Sequence, residues 1–159
     1  MSATLAFSES NGATPTVTDG ISNINFGSSD SPNLVTTTYP VVAGTNSYHK
    51  AIRVKFTGIG TSISNMLFWK SAGTLVSNEV IVAKNQASFI QPATTALAGA
   101  SAVPTTSGTA LTIHASNGIN TSMTVDGYTE YILLQLQTQS ITPAGAVNTK
   151  TFTFQYDEV

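Results

Sequence analysis

The stretch EYILLQLQTQSITPAGAVNTKTFTFQYDEV, residues 130–159, decides the fold because apolar and polar residues alternate along most of it. In its last part, Phe152, Phe154 and Tyr156 share one side of an extended chain, and polar side chains occupy the other side. Alternation with a period of two is typical of a half-buried β-strand. The end of the chain is therefore predicted to be a strand with one buried aromatic face.

The first part of the same stretch predicts a second strand of a different kind. Ile132, Leu134 and Leu136 form one apolar face, while the opposite face mixes apolar and polar residues. A strand that is apolar on both faces is expected near the centre of a sheet, covered on both sides. Between the two strands, Pro143 favours a turn, and we expect a protruding loop over residues 141–149.

The same alternation extends over the rest of the chain. In YHKAIRVKFTG (residues 48–58) one side is apolar except for Lys50. Further strands are predicted at residues 4–8, 21–26, 64–70, 79–83 and 110–115. Residues 91–102 fit either a short helix or a loop. Glycine and proline recur between these short runs, which predicts an all-β fold, an antiparallel β-sandwich of the Ig-like (Greek-key) or jelly-roll type.

The length of 159 residues suits a single sandwich domain over 1–159. Residues 1–40 contain short runs rich in Ser, Thr, Asn and Pro, and we expect them to form an extended N-terminal arm. A solvated terminus is the alternative. Tyr131 opens a late apolar strand four residues after Gly127, a spacing that fits a tyrosine corner; an ordinary core position for Tyr131 or Tyr128 fits equally well.

Composition excludes several classes of function. The chain has six Lys and Arg against eight Asp and Glu, so it offers no cationic surface to nucleic acid. It has no cysteine, and no apolar run approaches the roughly 18 residues that would suggest a membrane span. We expect neither nucleic acid nor a membrane as a partner.

Catalytic and metal-binding patterns are not found in the sequence. His49 and His114 fall on the polar sides of their predicted strands, where we expect solvated side chains. Asp19 and Asp30, with the asparagines between them, could supply oxygen ligands to calcium, but turn hydrogen bonds explain them better. The sequence has no nucleophile elbow and no phosphate-binding loop. We therefore predict a protein that is not an enzyme and has no cofactor or metal.

Trp69 lies in SNMLFWKS, where Leu67 shares its side and Phe68 occupies the other. Both sides carry large apolar groups, so one belongs to the core and the other needs cover. Either Trp69 or Phe68 fills the core; an exposed Trp69 would be covered by a stacked sugar or by a neighbouring subunit.

The low charge indicates a subunit of an assembly. Charged residues make up 9% of the chain, against about 25% in ordinary soluble domains, and Ser and Thr supply 43 of the 159 residues. Such a surface loses little side-chain entropy and little charge hydration when it is buried against a neighbour. Secreted carbohydrate-binding modules share this composition.

Four stretches, NINFGSSDSPN, NSYHKAIRVKFTG, ISNMLFWKSAG and YILLQLQTQSITPAGAVNTKTFTFQYDEV, resemble small virion structural proteins of tailed bacteriophages. The resemblance is spread over most of residues 23–159. It implies a β-sandwich subunit, made in the host cytoplasm, that decorates or cements the outer head surface and stabilises the capsid. The implied partners are the major capsid protein and copies of the chain itself, as a homotrimer.

Partner contacts are expected at the N-terminal arm and the 141–149 loop. We predict partner-binding roles for Trp69, Tyr48, Pro143 and Val147. Two alternatives to the decoration role stay open. One is a carbohydrate-binding sandwich of a tail fibre or secreted protein, and the other is a tail or connector component.

Overall fold

The computed structural model describes residues 2–143 and 149–159, and it confirms the all-β antiparallel sandwich. A single short 3₁₀ turn, Ser107–Thr109, is the helical structure among these residues. None of the helical structure described is long and apolar enough to cross a membrane. The strands are β1 (Thr4–Asn11), β2 (Thr16–Asp19), β3 (Lys50–Thr57), β4 (Ile63–Ala72), β5 (Glu79–Gln86), β6 (Ser101–Ala102), β7 (Leu111–Thr112), β8 (Gly127–Tyr128), β9 (Tyr131–Thr138) and β10 (Thr151–Glu158).

The strands form a larger and a smaller sheet. The larger sheet has the order β2-β1-β3-β9-β5-β6, with β8 also paired to β3, and the smaller sheet has the order β10-β4-β7. All described pairs are antiparallel. Strands distant in sequence therefore lie side by side, and the chain crosses between the sheets before β4, β5, β7, β8 and β10, as in Greek-key sandwiches.

The main core lies between the inner faces of the two sheets. Ile52, Val54 and Phe56 of β3 have no exposed surface, and Met66 and Phe68 of β4 face them from the smaller sheet. Alternation assigned this side of β3 to the interior, whereas for β4 it left the choice between two apolar sides open. Each buried aliphatic or aromatic side chain contributes about 1.5–3 kcal/mol. Phe68, not Trp69, fills the core.

The outer face of the larger sheet is covered by the chain itself. The cover segment (residues 87–100) lies on this face, where Phe89 and Leu97 pack against Tyr131 and Leu133. Leu133 has no exposed surface, so the expectation that β9 is covered on both sides is confirmed. The cover segment has no helix, and the loop alternative is the one observed.

The N-terminal region differs from the expected extended arm. Thr4–Asn11 and Thr16–Asp19 form the β1–β2 hairpin of the larger sheet, and the arm segment (residues 20–49) is a long irregular connection packed on the sandwich. The strand predicted at 21–26 was wrong, because Ile21 and Phe26 pack on the core without backbone pairing. Of residues 110–115, Leu111–Thr112 is a strand.

The tyrosine corner is not found, and Tyr131 is a core residue of the covered face. Its ring packs against Phe89, with centroids 5.8 Å apart. Its hydroxyl lies 3.5 Å from Arg53 Nη1, and the structure describes no bond from it to upstream backbone. Arg53 Cζ lies 4.6 Å from the ring centroids of both Tyr128 and Tyr131, so a cation–π contact holds this corner instead.

Candidate functional site

An apolar groove of about 700 Å³ lies between the arm segment and the ends of β5 and β9. The arm segment supplies one wall, from Thr36 to Ala43, and Leu136 and Thr138 of β9 supply part of the other. Pro143, at the far end of β9, closes one side. The walls are mostly aliphatic and hydroxyl side chains, as expected for a surface that binds another apolar surface.

The rim of the groove exposes large apolar side chains. Val42, which lines the groove, is 63% exposed, and Tyr39 and Ile141, each next in sequence to a lining residue, are 42% and 70% exposed. Single exposed apolar residues are common on protein surfaces, but a groove with an apolar rim marks an interaction site.

Glu79 is the charged residue of the groove, and its charge is neutralised locally. Its side chain is nearly fully buried, and Lys150 Nζ lies 3.2 Å from Oε1. The backbone N–H of Val76 donates to Oε2 over 2.9 Å. Because these donors hold the carboxylate at the base, the groove presents no net charge to a partner.

A buried ion pair fixes the arm segment to the sandwich. Lys50 Nζ donates to Glu9 Oε1 over 2.9 Å and to the carbonyl oxygen of Ser31 over 2.8 Å. Asn11 Nδ2 donates to Asp30 Oδ1 over 2.6 Å, which brings a second point of the arm segment to β1. Lys50, which interrupts the apolar side of β3 in the sequence, therefore points inward and bonds the arm segment at Ser31.

The Glu9–Lys50 pair is costly to bury. Glu9 is 1% exposed, and its Oε2 has no hydrogen-bond partner among the described residues. Burial raises the pKa of Glu9, while the Lys50 ammonium and the Asn11 amide oppose that rise. Such a pair contributes little net stability, but removal of one partner is strongly destabilising.

His49 is buried, so its predicted solvated position was wrong. The side chain is 4% exposed, because the cover segment lies on this face of β3. Nδ1 accepts a hydrogen bond from the Ala93 N–H over 3.3 Å, and Nε2 lies 3.4 Å from the Ile90 carbonyl oxygen. Burial lowers the pKa of His49. The neutral ring therefore fastens the cover segment to the sheet.

Gln135 is a second fastening that the sequence pattern did not reveal. Its buried amide donates to the carbonyl oxygens of Ser47 and Thr95, over 3.0 and 2.9 Å, and accepts from the Leu97 N–H over 2.9 Å. The side chain thus joins the arm segment, the cover segment and β9. In the sequence, the mixture of apolar and polar residues on this face of β9 indicated that the face is covered. It did not identify the segment that covers the face or the bonds that Gln135 makes to that segment.

The remaining candidate residues hold local structure. His114 Nδ1 lies 2.5 Å from Glu130 Oε1, and the side chain is half-buried. Asp30 accepts from the Gly12 N–H, and Asp19 accepts from Lys55. Both aspartates bond residues distant in sequence, Asp19 also the Ser8 and Tyr128 hydroxyls and Asp30 also the Asn11 amide, so the prediction of local turn hydrogen bonds was wrong for them.

The predicted partner-binding residues lie on separate surfaces. Pro143 lines the groove, whereas Trp69 lies on the outer face of the smaller sheet. Tyr48 is half-buried at the start of β3, and its N–H donates to the Gly27 carbonyl oxygen over 3.0 Å. Val147 lies outside the described residues.

The outer face around Trp69 carries mostly uncharged side chains. Trp69 is opposite Thr153 of β10, and Leu67 lies between Gln155 of β10 and Thr112 of β7. Trp69 and Leu67 are half-buried, and the described chain places no segment over them comparable to the cover segment. This face could receive a flat partner such as a sugar ring or another protein surface.

Within residues 2–143 and 149–159, no group of three or more His, Cys, Asp or Glu side chains converges on a point that could hold a metal ion. No protein-family model, curated protein or solved structure matches the chain.

Proposed function

We propose that this chain is a non-enzymatic structural subunit of a virion, a head decoration protein that binds the outer surface of a capsid beside copies of itself. The groove with its apolar rim is the observation that carries the proposal. It offers a partner an aliphatic surface whose single carboxylate, Glu79, is already paired with Lys150. A shell segment can enter it without loss of charge hydration.

The rigidity of the groove supports the same role. Thr138 Oγ1 of β9 donates to the Val42 carbonyl oxygen of the arm-segment wall over 3.3 Å, and Lys50 and Gln135 bond the arm segment on either side of the wall, at Ser31 and Ser47. A wall that is ordered before binding loses little entropy on binding, so a modest contact area can give useful affinity. Repetition over a symmetric shell then multiplies that affinity through avidity.

Co-sedimentation tests the proposal. The purified chain is mixed with empty shells assembled from the major capsid protein of the same phage, and binding is measured against shell concentration. We expect saturable binding, and Val42→Asp should weaken it at least about tenfold, because a carboxylate would be desolvated in the groove.

Val125→Asp is the matched control, since Val125 is also an exposed valine, at 74%, and does not line the groove. It should bind as the natural chain does. Absence of shell binding by the natural chain, or equal losses in the two variants, would contradict docking through the groove.

A carbohydrate-binding module is the second candidate, and the Trp69 face favours it. A half-buried indole on a flat sheet, with Thr153 and Gln155 beside it, resembles a stacking platform with hydrogen-bonding neighbours. Glycan-array binding that Trp69→Ala abolishes and Val42→Asp leaves intact would favour this function over capsid decoration.

A further inference from the structure

Asn11 of β1 and Lys50 of β3 lie across from each other on two neighbouring strands of the larger sheet. The two strands are antiparallel with Ser10 opposite Ala51, so the next step of the same register sets Asn11 opposite Lys50. The Cβ atoms of opposite residues in a sheet are about 4.5–5.5 Å apart. The side-chain nitrogen of Lys50 is therefore within reach of the carboxamide of Asn11.

Glu9 holds both groups on a single oxygen atom. Lys50 Nζ donates to Glu9 Oε1 over 2.9 Å, and Asn11 Nδ2 donates to the same atom over 2.8 Å. Glu9 and Lys50 are 1% exposed and Asn11 is 9% exposed, so the three side chains meet out of contact with solvent. An amine, a carboxamide and a carboxyl group are thus brought together at a buried point.

The hydrogen bonds of this cluster are incomplete. Glu9 Oε2 and Asn11 Oδ1 are buried acceptors that have no donor among the described residues. Buried polar atoms in folded proteins are nearly always paired, so these two need an explanation. A proton carried by Glu9 would supply a donor that Asn11 Oδ1 lacks. Desolvation raises the pKa of Glu9, which favours the protonated form.

We propose that Lys50 and Asn11 form an isopeptide bond, an amide between their side chains, and that Glu9 moves the protons of the reaction. Lys50 first gives a proton to Glu9, which converts a costly buried ion pair into a neutral amine and a carboxylic acid. The lone pair of Lys50 Nζ then attacks Asn11 Cγ, and the carbonyl electrons move to Asn11 Oδ1, to which the Glu9 acid donates.

The second half of the reaction releases ammonia. Glu9 passes a proton from Lys50 Nζ to Asn11 Nδ2, the bond between Asn11 Cγ and Nδ2 breaks, and its electron pair leaves with the nitrogen. Of the three protons of the lysine ammonium and the two of the carboxamide, three leave in ammonia, one stays on the new amide and one stays on Glu9. No oxidant or reductant is consumed, and the buried charges are removed.

A second buried lysine–glutamate pair shows what distinguishes this cluster. Lys150 Nζ lies 3.2 Å from Glu79 Oε1, and the side chains are 9% and 2% exposed. The further donor to Glu79 is the backbone N–H of Val76, and the structure describes no carboxamide bonded to either side chain. That pair has the amine and the carboxyl group without the carbon to attack, so Asn11 is the component that makes the first cluster reactive.

The bond closes residues 11–50 into a covalent loop that contains β2 and the whole arm segment. A cross-link restricts the unfolded chain and prevents β1 and β3 from separating. This inference goes beyond capsid binding and does not depend on it, because the groove is lined by other residues. Val42→Asp tests the groove and leaves the reacting cluster intact.

Mass spectrometry of the natural chain tests the bond directly. The intact chain should be lighter than its sequence by one ammonia, about 17 Da. Trypsin does not cleave after an acylated lysine, so the first tryptic peptide should span residues 1–53 instead of 1–50. Further cleavage at Asp19 and Asp30 should leave the pieces that carry Asn11 and Lys50 joined. A full mass together with a free peptide 1–50 would overturn the proposal.

Three variants assign the roles. Lys50→Arg keeps a cation but has no attacking amine, and Glu9→Gln keeps the shape of the side chain but carries no acidic proton, so both should retain the ammonia. Lys55→Arg is the matched control, since Lys55 also lies on β3 and pairs with a carboxylate, that of Asp19. It should lose ammonia as the natural chain does. Cross-linking of Glu9→Gln to the natural extent would contradict proton transfer by Glu9.

A competing reaction has the same change in mass. Asn11 precedes Gly12, and attack of the Gly12 backbone nitrogen on the Asn11 side chain would also release ammonia and leave a succinimide. In the structure, the Gly12 N–H donates to Asp30 Oδ2 over 2.8 Å. Loss of ammonia that persists in Lys50→Arg, or that leaves Lys50 open to trypsin, would identify the succinimide and overturn the isopeptide bond.

Discussion

The outer faces of the two sheets have similar sequence patterns, but one is covered by the chain and the other is open to solvent. β9 and β4 both carry large apolar residues on both sides. On the larger sheet the cover segment seals the second side, and Leu133 has no exposed surface. On the smaller sheet the second side stays open, and Leu67 and Trp69 are half-buried.

This difference shows that a strand with two apolar faces is expected to be covered on both sides. The strand's own sequence does not tell whether the same chain or another molecule covers the second face. The larger sheet finds cover within the chain, fastened by His49 and Gln135. The smaller sheet has no such segment among the described residues, and its long edge strand is open too. Its surface is therefore where an interaction with another molecule is expected.

The inward-facing lysines give the largest expected effect. Lys50→Met in the larger sheet leaves the buried Glu9 carboxylate without its cation and should lower the free energy of unfolding by about 3–5 kcal/mol. Lys70→Met in the smaller sheet removes only a bond to the Gly73 carbonyl oxygen and should cost about 1 kcal/mol. Urea unfolding measures both.

The double variant Glu9→Gln/Lys50→Met is the control for this difference, since it removes the unpaired charge and should recover part of the loss. Equal costs for Lys50→Met and Lys70→Met would show that Glu9 does not depend on Lys50.

A matched pair of leucines compares the covered and open faces directly. Leu133→Ala should cost about 2–5 kcal/mol, because it opens a cavity under the cover segment. Leu67→Ala should cost less than about 1 kcal/mol, because its site is already partly open to solvent. Chemical denaturation of the two variants should separate them clearly, and similar midpoints would mean that the smaller sheet is also covered in solution.

Gln135 tests whether the cover is fastened by a few polar contacts. Gln135→Ala leaves the buried Ser47 carbonyl oxygen and the part-buried backbone groups of Thr95 and Leu97 without their partner, and should cost about 2 kcal/mol. Amide hydrogen exchange should quicken first in residues 87–100. Gln137→Ala is the control, since Gln137 donates only to Gln135 among its described side-chain bonds, and its exchange pattern should stay as in the natural chain.

His49 should make the cover sensitive to acid. Burial lowers the pKa of His49 in the folded chain below the value of 6.5 that it has in the unfolded chain. Below pH 6.5, His49 is therefore protonated in the unfolded chain but still neutral in the folded chain. Stability is therefore expected to fall as pH decreases from 7 towards the folded pKa. The raised pKa of Glu9 acts in the opposite direction, so the natural chain is compared with His49→Gln, in which the Glu9 contribution is retained.

Three acidic groups, Asp19, Asp126 and Glu158, have a lowered pKa in the folded chain, so their contributions to stability are lost only at pH values below those used here. Measurements of unfolding free energy above pH 5 therefore report the contribution of His49. If the unfolding free energies of the natural chain and His49→Gln differ by the same amount at pH 7.5 and pH 5.5, His49 does not couple folding to protonation.

Local pattern predicted the long strands well and the irregular segments poorly. Alternation is a property of neighbouring residues, so β3, β4, β9 and β10 were located from it. The inward sides of β3, β9 and β10 were also correct, whereas β4 is apolar on both sides and its inward side was left open. The segment 21–26 has a similar pattern but forms no strand. Its apolar side chains pack on the core, while its N–H groups bond scattered partners: that of Ile21 the Phe7 carbonyl oxygen, and that of Ser22 the Asn33 side chain. The short strands β2, β6 and β8 were missed because two to four residues are too few to show an alternation of apolar and polar side chains.

The candidate site was less predictable than the fold. Pro143 was identified from its loop, but the groove also needs residues 36–43, which come from a segment distant in sequence. The position of His49 opposite the apolar side of β3 was correct, and only the presence of the cover segment turned that position from solvated to buried.

The sequence by itself determined which side of β3, β9 and β10 faces inward and that the surface would carry few charges, because both depend on adjacent residues or on composition alone. The tertiary structure alone decided that Lys50 meets Glu9, that residues 87–100 seal the larger sheet and that β10 lies at an edge. Those outcomes depend on contacts between residues tens of positions apart. Such contacts follow from how the sheets close on their shared core, and a period of two residues carries no information about them.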